Sequence, residues 1–561
     1  MTTMTTARPE GVAARATTEV RVAVPEIPAP AILATIVATI GPASESPEMV
    51  RRLIEAGVGV FRFNFSHGTF ADHKRRLATV RQVASTLDCT IACLGDLQGP
   101  KIRVGKIPAG LGAASPSGGG SVMVVVGQDV ILRRGIREAF IRPTAGGFEP
   151  VLPLTYEAMI DEVVAGHKVL INDGAVRMLA VERSADRSEL RCRVTVGGLI
   201  TSGKGINLPQ SSISAPAITD RDWECVAWAV EHDLDFLALS FVRSAVEVIE
   251  LKERLSTMCG VTPPRDRSCA TDEERRTREV AGAWIPVVVK VETPQAVADI
   301  DRIVEAADVV MVARGDLGVE MDIARVPSAQ KQILASCGRY GKPCIVATQM
   351  LETMIENSSP TRAEASDVAN AIFDGADAVM LSGETATGRH PALVVETMAR
   401  IAAAAEDWMR ENAPAAAPVT PSRFTASHRG TAALAHGAWS IARDVGAAAV
   451  VCWSENGGTA RYLSQNRFHV PVLAYSSSIR ATRRMALLRG VTPVCSPPPG
   501  SGTLSEWNAA VDQYLIGRGI CKPGDSIVLL AGRPLGQAKA TNTITIHRVG
   551  EATGGYTAHR A

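Results

Sequence analysis

Eight short apolar runs, each closing on polar residues, constrain this chain more than any other feature. They are ATIVATIGP (34–42), VGVFRFNFSHG (58–68), TIACLGDLQGP (90–100), FLALSFVR (236–243), IPVVVKVETP (285–294), DVVMVARGDLG (308–318), KPCIVATQM (342–350) and AVMLSGETA (378–386). Strands this apolar on both faces belong to a parallel sheet covered by helices. Amphipathic segments such as SPEMVRRLIEAG and DRDWECVAWAVEH lie between or ahead of them. Eight such units predict an α/β fold built on a (β/α)8 TIM barrel. Thr39, Arg62, Asn64, Ser66, Asp96, Ser240, Lys290, Glu292, Asp316, Thr348 and Glu384 stand at the C-terminal ends of the runs. A barrel gathers those ends at one mouth, where its active site lies. Any one of these residues reads as a helix cap or a buried polar bridge. So many at matching places point to a site.

About 135 residues separate the third and fourth runs, far too many for a barrel loop. Within them, SVMVVVGQDVILRR, HKVLINDGAVRMLAVE and LRCRVTVGG alternate as short strands, and the NDG at 172–174 is a hairpin signal. A small inserted β-barrel lid domain is therefore expected at 102–205, within a barrel formed by 31–101 and 206–410. A Gly/Ser/Pro-rich stretch (110–121) lies near its entry, and a charged second insertion at 259–283 reads as a solvated loop. After the linker APAAAPVTP, the runs GAAAVVCWS, VPVLAYS and DSIVLLAG predict a separate α/β domain at 420–550. Residues 1–30 lack the apolar core of a secretory signal and read as a disordered extension. Glu10, Glu19 and Glu26 weigh against an organellar transit peptide.

Lys plus Arg total 59 and Asp plus Glu total 58, so the net charge of +1 makes no case for nucleic acid or an anionic membrane. Any anion site must be local. The 11 cysteines are scattered without a CxxC, as expected of reduced thiols in a cytoplasmic protein. No apolar run approaches the ~18 residues that span a bilayer.

In VVVKVETP, Val289 and Val291 point one way while Lys290 and Glu292 share the other face. A cation and a carboxylate therefore project together into the mouth, and the next run adds Asp316. Two carboxylates from adjacent strands suit Mg²⁺ or Mn²⁺ with water in the shell. Ala313, Arg314, Gly315 and Asp316 would open a short helix whose free N–H groups bind a carboxylate or phosphate. The plainer alternative, an ion pair between Lys290 and Glu292, leaves Asp316 and Thr348 unaccounted for. Thr348 alone would read as a cap. In FRFNFSHG, Arg62, Asn64 and Ser66 share one face, and Arg62 can hold a phosphoryl oxygen bidentately. Asn64, Ser66 and Asp96 together offer neutral oxygens and one carboxylate, a set that a monovalent cation tolerates. His67 is more often packed or solvated than catalytic, and stands as a candidate nucleotide contact.

Over residues 33–550 the chain resembles the pyruvate kinases. The resemblance is carried, in order, by ATIGPAS, FRFNFSHG, DLQGPKIRVG, KGINLP, VKVETPQA, ARGDLGVE, ATQMLETM, PTRAEASDVANAIFDGADAVMLSGETA and TNTITIHRV. It implies phosphoryl transfer from phosphoenolpyruvate to ADP, giving pyruvate and ATP, in a cytoplasmic, allosteric homotetramer of glycolysis. Glu292 and Asp316 would hold the divalent metal. Arg62 and Lys290 would stabilise the phosphoryl group in transfer. Ala313, Arg314, Gly315 and Asp316 would receive substrate, with Thr348 at the methylene face of the enolate. Thr39, Asn64, His67, Arg103 and Lys204 would contact the nucleotide. Asn64, Ser66, Asp96 and the Leu97 carbonyl would form the family's potassium site. A carbon–carbon lyase on a related barrel is a rival, but would lack the β lid and its KGINLP hinge. A non-catalytic relative serving as a binding module is another, yet no catalytic position is lost.

Two departures stand out. Potassium-dependent members of the family carry glutamate at the position of Lys101. Lysine there can supply the ion's positive charge, so K⁺ independence is expected. The C-terminal phosphate loop often reads Ser/Thr-x-Ser-Gly-x-Ser/Thr in the family. Here Ser454, Asn456, Gly457 and Thr459 leave an amide-lined nest for a sugar-phosphate or nucleotide effector, with Glu455 beside it.

Overall fold

The computed structural model describes residues 32–111, 120–144, 147–211, 213–260, 285–412, 422, 426–500, 504–532, 535–536 and 541–551. The expectations for residues 1–30, for most of the stretches at 110–121 and 259–283, and for the linker at 413–421 lie outside them.

Strands β1 (Thr35–Thr39), β2 (Val58–Asn64), β3 (Ala92–Asp96), β4 (Phe236–Leu239), β5 (Val287–Val291), β6 (Val309–Ala313), β7 (Cys344–Ala347) and β8 (Ala378–Leu381) close into a barrel. Each pairs in parallel with the next, and β8 returns to β1. All eight expected runs are present. Alternation along the strands sorts their side chains. Ile36, Ala38, Phe61, Phe63, Val287, Val289 and Val291 pack outward beneath the helices. Val37, Val60, Leu94, Ala238, Val288, Met311, Ile345 and Met380 fill the interior. The inward parity continues past this apolar layer to Thr39, Arg62, Asp96, Ser240, Lys290 and Glu292. The pattern that packs the barrel thus also aims the polar residues into its mouth.

The surrounding helices start on recognisable caps. Ser46 accepts from the Met49 amide and Pro47 opens the helix Pro47–Glu55. Thr69 with Asp72, Thr219 with Asp222, and Thr361 with Glu364 form reciprocal capping boxes.

Between β3 and β4 lie a seven-stranded and a two-stranded sheet, with a separate apolar core that includes Val104, Leu132, Leu152, Met178 and Cys192. Its hairpin Lys168–Ile171/Val176–Arg183 turns through Asn172 and Asp173, whose φ values are 56° and 53°. Asn and Asp tolerate this region, as a tight hairpin requires. The strands Phe140–Thr144 and Gly147–Pro153 lie beyond the alternating runs recognised in the sequence. Pro143 disguises the first, which is a sheet edge where a missing N–H costs no ladder bond. Two antiparallel segments join these sheets to the barrel: Ile206 N–H donates to Ile102 O (2.8 Å) and Val104 N–H to Lys204 O (2.9 Å).

The C-terminal sheet runs β11-β10-β9-β12-β13, with β9 Ala449–Trp453, β10 Val472–Ser476, β11 Val491–Cys495, β12 Ser526–Gly532 and β13 Thr541–Arg548. Only β13 is antiparallel. The three central strands are the expected apolar runs. Both edges are half-exposed, which removes the continuous apolar signal. Among the described residues no helix is long and apolar enough to cross a membrane.

Candidate active site

A cleft of about 490 Å³ opens between the barrel mouth and the inserted β domain. The barrel contributes Arg62, Asn64, Ser66, His67, Asp96, Leu97, Gln98, Lys101, Ser240, Phe241, Lys290 and Asp316. The β domain contributes Arg103, Asn172, Asp173, Gly203, Lys204 and Gly205.

Asp96 organises the floor. Its Oδ2 accepts from Arg62 Nε at 2.6 Å, and its Oδ1 lies 3.4 Å from Lys290 Nζ. Burial acts to raise its pKa, but the Lys290 and Arg62 charges outweigh that and hold it below the usual carboxylate range. Burial likewise opposes the charge on Lys290, yet Asp96 and Glu292 push its pKa upward, so it remains an ammonium. Lys290 Nζ donates to Ser240 Oγ (2.8 Å), which donates to the Leu97 carbonyl (2.7 Å). Arg62 Nη1 donates to Thr39 Oγ1 (3.0 Å), which donates to Leu381 O (3.0 Å). Thr39 is therefore buried beneath Arg62 and does not line the cleft.

Glu292 is fully buried. Its Oε2 accepts from the Phe241 amide at 2.6 Å, and Phe241 adopts φ 53° to present it. Oε1 lies 2.9 Å from Lys290 Nζ but lacks a hydrogen bond of ordinary geometry. Burial raises the Glu292 pKa, Lys290 opposes this, and the nearby Asp316 charge adds to the rise. A buried carboxylate beside a second carboxylate, with Lys290 already on one of its oxygens, fits a divalent cation, whose charge would relieve the repulsion between the two. Among the described residues no group of three His, Cys, Asp or Glu side chains converges. A cation held by Glu292 and Asp316 would thus complete its shell with substrate oxygens and water, as Mg²⁺ commonly does.

Ala313 precedes the short helix Arg314–Glu320, which brings Asp316 to the mouth. Gly315 N–H donates to Thr348 Oγ1 at 2.7 Å, and that hydroxyl donates to Ala347 O at 2.6 Å. Thr348 has φ 71°. Positive φ is a true outlier for a β-branched residue, and such strain persists where the surroundings over-determine it. Arg314 helps to do so: its guanidinium donates to the Thr348 carbonyl (2.9 Å) and to Asp367 (2.7 Å).

Arg103 lies at the hinge, where its Nη1 donates to Gly203 O at 2.9 Å. Lys101 reaches towards the hairpin tip, with Nζ 3.8 Å from Asp173 Oδ1. Asn64 Oδ1 accepts from the Ser66 amide at 3.1 Å. In the C-terminal domain, Ser454 Oγ accepts from Ala460 N (3.1 Å) and Thr459 Oγ1 lies 2.7 Å from Thr541 Oγ1. Glu455 there binds Trp453 Nε1 and the Ser477 hydroxyl. Gly457 turns through φ 80° ahead of the helix Gly458–Gln465, with Asn456 in the same turn.

Sequence reasoning had not placed Asn172 and Asp173 in the site. Their NDG signal showed a turn but not what it would face.

The fold and mouth define a barrel enzyme that handles a small anionic substrate with a divalent metal, beneath an inserted β domain. Comparison with known proteins narrows this. The family described as "Pyruvate kinase, barrel domain" matches residues 33–260 and 267–395, and "Pyruvate kinase, alpha/beta domain" matches 432–547. A pyruvate kinase of Mycobacterium tuberculosis is 37% identical over 92% of this chain and 98% of its own. Pyruvate kinase 2 of Synechocystis sp. is 38% identical over 92% of this chain and 79% of its own. A Staphylococcus aureus pyruvate kinase is 37% identical over 92% and 80%. The chain belongs to the pyruvate kinase family, and it is an enzyme of that activity with a divalent-metal requirement. The lyase and binding-module alternatives are not favoured.

Proposed function

We propose that Arg62 and Lys290 hold the phosphoryl group as it passes from phosphoenolpyruvate to ADP, with Glu292 and Asp316 holding Mg²⁺ or Mn²⁺. The observation that carries this reading is the buried Arg62–Asp96–Lys290–Glu292 cluster on the cleft floor. Asp96 holds both cations before substrate arrives, so little reorganisation is needed as charge develops. Bound there, the divalent ion supplies charge neutralisation to substrate oxygens. The backbone of Ala313, Arg314, Gly315 and Asp316 at the helix start receives the substrate carboxylate. Thr348 faces the enolate methylene, and the proton reaches it through water. Arg103 and Lys204 contact nucleotide phosphates when the β domain closes as a lid over Asn64 and His67, with Thr39 supporting Arg62.

Asn64, Ser66, Asp96 and Leu97 correspond to the monovalent site. Lys101 beside them supports turnover without K⁺. The turn holding Ser454, Asn456, Gly457 and Thr459 supports a phosphorylated effector, and the family supports a cytoplasmic homotetramer. A coupled assay with a PEP- and Mn²⁺-binding titration tests the core of this reading. Lys290→Met should keep both ligands while kcat falls at least about a thousandfold, the scale of losing a preorganised charge. Normal turnover in that variant would sink the mechanism.

A further inference from the structure

We infer that Glu320 is a positioning residue that registers the inserted β domain on the barrel through Asn207, and that nucleotide use depends on this bond. Glu320 ends the helix Arg314–Glu320, the one that brings Asp316 to the mouth. Asn207 ends the exit segment of the β domain, in the strand Ile206–Asn207, three positions beyond Lys204. Asn207 Nδ2 donates to Glu320 Oε1 at 2.7 Å, which ties the inserted β domain to the helix that carries Asp316. Asn207 is 4% exposed, and among the described residues its Oδ1 has no hydrogen-bond partner, so the bond to Glu320 is the one that holds its amide there. The two residues line a second cleft of about 280 Å³ behind the hinge, with Ile102, Ile206, Leu208 and Phe241 around them. The cleft is also lined by Lys101, Ser211, Arg243, Thr293 and Gln295, and the bond between the two residues is part-buried. Burial pushes the Glu320 carboxyl up to about 7, with the Asn207 bond opposing. Glutamine keeps the length of this side chain and a carbonyl oxygen that can accept from Asn207.

The inference rests on the reading of Arg103 and Lys204 as nucleotide contacts. Phosphoenolpyruvate would bind mainly barrel residues, whereas ADP needs the hinge in register. Steady-state kinetics on the full-length protein test this. Glu320→Ala and Asn207→Ala should each raise KM for ADP about tenfold while KM for phosphoenolpyruvate moves less than about twofold, the loss expected for one hydrogen bond whose partner is left unpaired. Glu320→Gln should restore the ADP value, and the double alanine variant should be no worse than either single one. Equal rises for both substrates, additive losses, or no rescue by glutamine would overturn the inference. Lys204→Ala separates the two readings. If it leaves KM for ADP unchanged while the other results hold, the Lys204 assignment falls and the Glu320–Asn207 register stands.

Discussion

The Lys101 side chain passes close over Gly205 on its way to the cleft. A Cβ at Gly205 would stand 2.7 Å from Lys101 Cε. The lysine stem lies across the hinge, and its ammonium enters the cavity that Asn64, Ser66 and Asp96 also line. Its ammonium is tethered to the chain, whereas a bound ion must be recruited from solution. Turnover should therefore be unchanged when K⁺ is replaced by Na⁺ at fixed Mg²⁺ and ionic strength. Lys101→Glu should convert the enzyme to one activated at least about tenfold by K⁺, the scale of losing one close charge at a low-dielectric site. Strong K⁺ activation of the unaltered protein would refute the assignment. The sequence reveals Lys101 as a departure from its family. Asp173 opposite it is visible only in the structure, because the ion pair joins the segment after β3 to a hairpin turn far along the chain.

At the scale of elements, Asp222 performs two tasks. It closes the capping box of the helix Asp220–Glu231 through Thr219. Its Oδ1 also accepts from the Gln98 and Gly99 amides at 3.0 and 3.3 Å. The helix start therefore pins the turn that leads from β3 to Lys101. Asp222→Ala should cost about 2 kcal/mol, from a lost cap and two amides left without a partner. Thermal unfolding and KM for ADP, read together, check this, and a change confined to stability would limit Asp222 to capping. The Thr219–Asp222 spacing makes the capping box legible in sequence. The bond to the β3 turn is not, since more than a hundred residues separate the partners. The same contrast holds in the sheets: buried central strands advertise themselves by apolar runs, while the edges Phe140–Thr144, β11 and β13 do not.

At the scale of the molecule, the C-terminal domain completes the barrel. Its Ala486 and Leu487 join the interior cluster with Val37, Val60 and Leu94, and Thr35 Oγ1 donates to Ala486 O at 3.3 Å. Glu406, on the helix Pro391–Asn412, accepts from the Leu33 and Ala34 amides at 2.7 and 2.9 Å. It also meets Arg489 at 3.5 Å, with both side chains buried. Burial pushes the Arg489 pKa down to about 10, and the nearby Arg467 charge adds to that while Glu406 opposes it. Arg489→Met should destabilise the protein by about 3–5 kcal/mol, because it leaves a buried carboxylate uncompensated. Denaturant unfolding should show the loss, and an unchanged midpoint would mean that Glu406 is satisfied by the two amides alone.

The sequence by itself determined the eight strands, their inward parity and the residue types at their ends, because alternation and apolar runs are local properties. From these, Lys290, Glu292 and Asp316 were legible as a candidate site, and the longer motifs supplied the reaction. Only the tertiary structure decided that Asp96 stands between Arg62 and Lys290, that Asn207 meets Glu320, and that another domain fills the bottom of the barrel. Those contacts depend on how distant segments pack, and no local periodicity encodes that distance.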